Sequence, residues 1–347
     1  IADFAEGAHV PVLADALSQL RRHAIAERAD IVCAYDLILR NAAARDHLTP
    51  DFVLRVGELP TSKPLRNWLA GLACPQVVLD PRGVWHDATR VATQIVQCDP
   101  VKFFAAAHSA GRDENESGAA PGWTSAWLML ETAAQSAIGN ALAAEAFPFE
   151  PAIYRSLLSG LAGGATIYVS SSMPVRDVES FIAPGRDDVR FLANRGANGI
   201  DGVVSSALGA KAPWGCDQVI LLTGDLALLY DIGALAIADR HRIPITIVCV
   251  DNDGGGIFSF LPIAEHPSHF EDKIATPSGV DIEAVVRAFG MDYCAPSDVE
   301  SLNDAVRRSG VVHLRTDRAE NKAAHDRVFA AVDEAVAAAL TETGALH

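Results

Sequence analysis

The chain has 347 residues, half of them hydrophobic and 21% charged, with a formal net charge of −16. That length holds two domains with real cores, and such acidity excludes a general nucleic-acid or membrane-surface binder, which needs a basic face. Six scattered cysteines (33, 74, 98, 216, 249 and 294) include no CxxC pair, and no apolar run reaches membrane-spanning length. A disulfide framework, a zinc spacing and a membrane span are therefore not expected, and a reducing cytoplasm is the default. An acidic protein that takes anionic ligands must hold them with a metal, with helix N-termini or with a few placed Arg and Lys. The N-terminus carries no secretory pattern, and a chain opening on Ile1 reads as the middle of a longer protein.

Residues 1–109 alternate short apolar strands, expected at Val10–Leu13, Phe52–Val56, Gln76–Leu79 and Thr93–Val96, with helices at Leu17–Glu27, Leu65–Gly71 and Val101–Ala107. Gly111–Pro121 has the composition of an exposed linker, and Trp123–Phe147 reads as a long alanine-rich bridging helix. From about Glu150 strands and helices alternate again. Strands are expected at Thr166–Val169, Val189–Leu192, Val219–Thr223, Ile245–Val250, Met291–Cys294 and Gly310–Arg315. Helices are expected at Tyr154–Leu161, Val175–Phe181, Val203–Ala212, Leu228–Arg240, Asp281–Phe289, Val299–Ser309 and Ala324–Leu340. The alternation predicts an α/β protein with two doubly wound parallel-sheet domains: a central domain over 1–121, a bridging helix over 122–149 and a second domain over 150–347.

Two stretches organise the second domain. Gly224-Asp225-Leu226 follows one apolar strand, and Asp251-Asn252-Asp253-Gly254-Gly255-Gly256 follows the next, with a crossover helix between them. Strand, helix, strand at this spacing is a parallel βαβ unit, so Asp225 and Asn252 are expected on neighbouring strand tips, the edge where open α/β sheets bind ligands. Turn chemistry explains either stretch alone. Together, a carboxylate, an amide oxygen and a glycine run that brings backbone oxygens close suit a hard cation that also holds phosphate. Neither GxGxxG spacing nor a Walker sequence occurs, which disfavours a Rossmann dehydrogenase or a P-loop NTPase. Asp253 reads as a solvated turn residue rather than a further ligand. Ser172-Met173-Pro174 opens a helix, with Ser172 suited to cap it.

Gly224-Asp225 and Asn252 resemble the thiamine-diphosphate signature, in which the Asp, the Asn and a following backbone oxygen hold Mg2+ on the cofactor's diphosphate. The longer stretches Ser172-Met173-Pro174-Val175-Arg176-Asp177, Asn194–Gly202 and Gly254–Pro262 are similar to the 2-succinyl-5-enolpyruvyl-6-hydroxy-3-cyclohexene-1-carboxylate (SEPHCHC) synthases of menaquinone biosynthesis. The resemblance runs over nearly the whole chain and is dense from about Thr166. It implies Asp225, Asn252 and the Gly254 carbonyl as Mg2+ ligands, with Mn2+ able to substitute. It further implies cofactor contacts from Gly224, Asp225, Leu226, Asn252, Gly254, Gly255 and Ile257, the last propping the bent cofactor. Ser172, Arg176, Arg195 and Lys63 would meet substrate carboxylates, for which Arg forks are suited. Phe258 and Leu261 would form, with Ile257, an apolar wall at the reacting centre.

The reaction so implied is decarboxylation of 2-oxoglutarate and conjugate addition of the resulting carbanion to isochorismate, in a homodimer or homotetramer. Two departures stand out. Some family members have Arg where this chain has Pro64, and no stretch matches the family's pyrimidine-binding domain, whose glutamate activates the cofactor. On that expectation the chain needs such a domain from its own missing N-terminus or from another chain. Acetolactate synthases and 2-oxoacid decarboxylases, the nearest alternatives, usually have Gly-Asp-Gly where this chain has Gly224-Asp225-Leu226; a non-catalytic fragment is the other. His266 and His269 follow the Phe258 stretch without a readable role.

Overall fold

The computed structural model describes residues 1–27, 30–109, 120–161, 163–211 and 218–342. The linker expected at Gly111–Pro121 lies almost wholly outside these residues, as does Cys216. Two compact units divide the chain, one made of Ile1–Asp15, Ala24–Gly139 and Phe329–His347, the other of Ala16–His23 and Asn140–Val328.

In the first unit β1 (Val12–Leu13) pairs with β2 (Ile31–Val32), while β3 (Val53–Val56), β4 (Gln76–Asp80) and β5 (Gln94–Gln97) form a second sheet in the order β3-β4-β5. Every pairing is parallel. The last three strands fall within a residue or so of expectation, but Val10–Leu13 contracts to two residues. Sequence reasoning missed β2 and the Ala2–Ala8, Tyr35–Ile38 and Ala42–His47 helices. The reason is visible at Ile31–Leu39, where every residue is buried: a segment covered on all sides carries no polar face to mark its period. The Lys63–Gly71 helix is capped by Ser62, whose hydroxyl accepts the Leu65 N–H at 3.1 Å and donates to Asp36 at 2.6 Å.

The second unit is built on six parallel strands: β6 (Thr166–Val169), β7 (Arg190–Ala193), β8 (Val219–Gly224), β9 (Thr246–Asp251), β10 (Tyr293–Cys294) and β11 (Gly310–Arg315). Their order is β10-β11-β9-β8-β6-β7. Alternate side chains feed two cores. Ile220, Leu222, Val248, Val250, Val312 and Leu314 pack with the Glu150–Gly160 and Met173–Phe181 helices. Val219, Leu221, Ile247, Cys249 and Val311 pack with the Val203–Lys211, Ala234–His241 and Ile282–Ala288 helices. A sheet covered on both faces is the doubly wound arrangement, and it explains why its strands read as continuous apolar runs.

Two helix expectations need correction. Leu228–Arg240 is not one crossover helix but two, Asp225–Tyr230 and Ala234–His241. The break falls at Asp231, whose carboxylate leaves the helical path to accept the Ser205 N–H at 2.6 Å and its hydroxyl at 3.0 Å. Leu17–Glu27 is not a helix; only short 3-10 turns form at Ala16–Ser18 and Ala24–Glu27. Gln19, with φ of 65°, ends the first turn, and the strap beyond it is held by tertiary partners instead. Gln19 bonds the Phe191 carbonyl at 2.6 Å, and the guanidinium of Arg21 forms a fully buried ion pair with Glu179 at 3.1 Å. Glu179 also accepts the Ala16 N–H at 2.8 Å.

Truncating one member of a buried pair leaves the other charge uncompensated, which costs about 3–5 kcal/mol. Arg21→Met is expected to lower unfolding free energy by that amount in urea denaturation, and Arg21→Met/Glu179→Leu to recover most of it. Equal losses in the single and double variants would show that the strap, not the pair, sets the cost.

Candidate functional site

At the carboxyl edge of the six-stranded sheet, β8 and β9 lie side by side with Gly224 opposite Val250, so Asp225 and Asn252 leave adjacent strand tips in the same direction. Asp225 is the first residue of the Asp225–Tyr230 helix, where the exposed N–H groups favour an acid. Its carboxylate is buried and accepts the Gly254 N–H at 2.8 Å, joining the tip of β8 to the loop after β9.

That loop is shaped by its glycines and by one arginine. Gly254 has φ of +136°, and a Cβ there would lie 2.4 Å from the Ala275 carbonyl oxygen. A Cβ on Gly256 would lie 2.6 Å from Asn252 Nδ2. Arg318 donates to the carbonyls of Asn252 and Asp253 and pairs with Glu271. Asp253, with φ of 55°, gives its N–H to the Asp251 carboxylate at 3.0 Å. Asp251 in turn bonds His313 Nε2 at 2.9 Å; burial opposes the charge, but this bond and its neighbours hold the Asp251 carboxyl below the usual range.

Asn252 is buried, and its amide is divided between two environments. Nδ2 donates to the Glu150 carboxylate at 3.0 Å, while Oδ1 has no hydrogen-bond partner among the described residues. An orphaned buried carbonyl is costly unless something absent from the protein completes it. Asp225 and Asn252 together, with a backbone carbonyl on the glycine loop, make an all-oxygen donor set that fits a hard divalent cation. No cluster of three or more His, Cys, Asp or Glu able to hold a metal occurs among the described residues. The thiolate and imidazole chemistry of zinc sites is thus not what this edge offers.

The other expected residues fall at defined places. Ser172 does not cap its helix with its side chain: its φ is 73°, and the hydroxyl makes no cap bond. The left-handed backbone instead turns its carbonyl to accept Arg176 Nη1 at 2.5 Å, and Arg176 is exposed. Arg195 stands just past β7, half-buried, with no protein partner among the described residues. Its neighbour Asn194 is pinned by the Tyr168 hydroxyl at 2.5 Å and by Ser206 at 3.1 Å. Gly224 and Leu226 flank Asp225, and Gly255 is buried. Ile257 and Phe258 lie on the Gly256–Phe260 3-10 turn, with Leu261 at its end; Phe258 and Leu261 are exposed. Lys63 begins its helix in the first unit and is exposed. His266 and His269 are exposed on the segment beyond Leu261.

Sequence reasoning missed the charged layer behind these residues. Burial, and then the Asp177 charge, push the Glu150 carboxyl up to about 7. His325 is buried on the Arg318–Glu342 helix, with Nε2 3.0 Å from Asp177 and Nδ1 2.7 Å from the Asn321 carbonyl. Burial disfavours its charge, but Asp177 and these two bonds outweigh it and hold the imidazole above its ordinary pKa. The rings of Phe149, Phe181 and Phe260 meet His325 edge-on, with centroids 5.1–5.7 Å away. The imidazole therefore braces both the helix bearing Arg176 and the turn bearing Phe258. Glu150 lies ahead of the helix expected at Tyr154–Leu161, which in the structure already begins at Glu150, and nothing in the sequence marked its burial.

Burial, then the Asp251 charge, push the Asp225 carboxyl up to about 6. Its folded pKa exceeds the unfolded value, so the folded state binds the extra proton between about pH 4 and 6 and is penalised above that window. At roughly 1.4 kcal/mol per unit the penalty is on the order of 3 kcal/mol. With neither metal nor cofactor present, Asp225→Asn should stabilise the chain by that order at pH 7.5 in urea unfolding, the gain shrinking as pH falls from 6 to 4. A gain independent of pH would contradict this account.

Comparison with known proteins follows the same edge. Residues 181–313 match the thiamine pyrophosphate enzyme C-terminal TPP-binding domain. Curated SEPHCHC synthases from Bacillus velezensis (38% identical), Listeria monocytogenes (35%) and Geobacillus thermodenitrificans (36%) align with 95%, 97% and 99% of this chain. The chain spans 57–58% of the length of these relatives. Over residues 181–313 the chain is thus similar to the thiamine-diphosphate-binding domain of that enzyme family, and over nearly its whole length it is similar to the SEPHCHC synthases.

Proposed function

We propose that residues 150–342 form the diphosphate- and Mg2+-binding domain of a SEPHCHC synthase, that 1–121 belong to its central domain, and that 122–149 bridge them. Asp225, Asn252 and the Gly254 carbonyl are the protein ligands to Mg2+, with Gly224, Leu226 and Gly255 offering backbone beside the diphosphate. The observation that carries this reading is the buried Asn252 Oδ1, which has no donor among the described residues and sits two residues before the glycine bonded to Asp225.

When bound, thiamine diphosphate supplies the electron sink for decarboxylating a 2-oxoacid and carrying the carbanion to an acceptor. The chain's own residues position and exclude. Arg195, without a partner among the described residues, and Arg176, tethered to the Ser172 carbonyl, offer guanidinium forks to the carboxylates of 2-oxoglutarate and isochorismate. They supply local positive charge in a protein of net charge −16. Ile257, Phe258 and Leu261 present apolar surface that keeps water from the reacting carbon, and the exposure of the last two is removed once ligand covers them. Lys63 is assigned a further substrate carboxylate. Turnover also needs a pyrimidine-binding domain, from this polypeptide or another, within a homodimer or homotetramer. No described helix is long and apolar enough to cross a membrane, and the five described cysteines are free, which supports a cytoplasmic setting.

Thermal unfolding tests the binding half of this reading. Thiamine diphosphate with Mg2+ should raise the midpoint, either alone should do less, and Asp225→Ala or Asn252→Ala should abolish the shift. With the pyrimidine-binding domain present, 2-oxoglutarate plus isochorismate should be consumed. Arg195→Ala should then raise KM for a carboxylate substrate at least tenfold, about the 1.5–3 kcal/mol of a charged hydrogen bond. Consumption of pyruvate in preference to 2-oxoglutarate would overturn the assignment in favour of an acetolactate synthase or decarboxylase.

A further inference from the structure

The amide of Asn252 is nearly symmetric in shape, and either end fits the same space. Only its hydrogen-bond partners decide which atom faces the glycine loop. In this structure the decision rests with Glu150. Its carboxylate, buried at the first turn of the Glu150–Gly160 helix, accepts Asn252 Nδ2 at 3.0 Å and the Thr316 hydroxyl at 3.2 Å. Glu150 Oε1 accepts both of these bonds, so it faces the NH2 end of the amide and not the carbonyl end. That contact leaves Oδ1 on the other side, without a partner among the described residues.

We propose that Glu150 is a positioning residue for the metal site: by accepting Nδ2 it fixes the Asn252 amide with its carbonyl oxygen toward the cation. The inference rests on the assignment of Asn252 as a Mg2+ ligand. Three elements converge on the contact. Glu150 comes from a helix start, Asn252 from the tip of β9, and Thr316 from the residue after β11, whose own N–H bonds the Asp251 carbonyl at 2.9 Å. The contact is thus held by three separate elements of the fold. Keeping a carboxyl fully buried in the same layer as another buried acid, Asp177, is unfavourable for folding alone. A glutamine would fill the same volume without that cost. It would also lose the discrimination, because a glutamine side chain can accept from Nδ2 or donate to Oδ1 and so permits both amide orientations. Partners that orient a metal ligand are commonly worth 10–100-fold in metal affinity.

The test is calorimetric titration of Mg2+ into the full chain at saturating thiamine diphosphate and fixed pH, with unfolding of the ligand-free protein measured in parallel. Glu150→Gln should unfold at or above the wild-type midpoint yet bind Mg2+ about 10–100-fold more weakly. Glu150→Gln/Asn252→Asp should recover most of that loss. The carboxylate at 252 has two equivalent oxygens and cannot be misoriented, and the amide at 150 can donate to one of them. A purely structural role for Glu150 predicts no such rescue. If Glu150→Gln does not fold, Glu150→Asp, which withdraws the carboxylate by one methylene, carries the same comparison. Wild-type Mg2+ affinity in Glu150→Gln, with binding lost in Asn252→Ala, would overturn the positioning role and leave the metal assignment standing. Unchanged binding in Asn252→Ala would overturn both.

Discussion

A carboxylate on one strand tip accepts the N–H of a glycine just beyond the next, and the functional edge of this protein is assembled around that bond. Asp225 to Gly254, at 2.8 Å, joins two segments that the parallel βαβ connection brings together and nothing covalent holds. It needs a backbone at Gly254 that no side chain tolerates, since φ is +136° and the Ala275 carbonyl occupies the space of a Cβ. It also needs a carboxylate kept from water, because an exposed Asp225 would exchange the bond for solvation.

Burying that carboxylate has consequences throughout the second unit. Glu150, Asp177 and Asp225 are all buried, and burial pushes each of their carboxyl groups above its ordinary value. The compensating groups are few and individually placed. His325 meets Asp177, Arg21 meets Glu179, and His313 meets Asp251, each from a different element. Asp225 has no such cation among the described residues; its relief comes from backbone N–H groups. A divalent ion at this edge would supply the missing charge, so metal binding and relief of electrostatic strain are the same event.

The residues behind the edge also make two of its segments interdependent. Asp177 lies one residue after Arg176, and Phe260 ends the turn that carries Ile257 and Phe258. Both contact His325. A change in the charge or packing of that imidazole therefore reaches the Arg176 guanidinium and the apolar side chains of Ile257 and Phe258 without touching either directly. Arg318 acts comparably on the loop itself, holding the Asn252 and Asp253 carbonyls from the start of the same long helix.

Local patterns carried the strands of the second unit, the βαβ placement of Asp225 and Asn252, and the glycine loop, because these depend on neighbours in sequence: apolar runs, strand-end acids and residues that permit unusual φ. The similarity of Ser172–Arg176, Asn194–Gly202 and Gly254–Pro262 to known enzymes extended that reading to a chemistry. Local pattern failed where partners are distant. Leu17–Glu27 has a helical composition but lies as a strap because Gln19 and Arg21 bind residues more than 150 positions away. Ser172 is a sound cap by type, yet its backbone is turned the other way. Glu150 and His325 were invisible as buried charges, since burial is a property of packing and not of the residue. The sequence by itself thus determined which groups stand at the carboxyl edge of the sheet. Only the tertiary structure decided how they are oriented and charged, because orientation and pKa are set by contacts spanning 100 residues or more, as between Glu150 and Asn252 or Asp177 and His325.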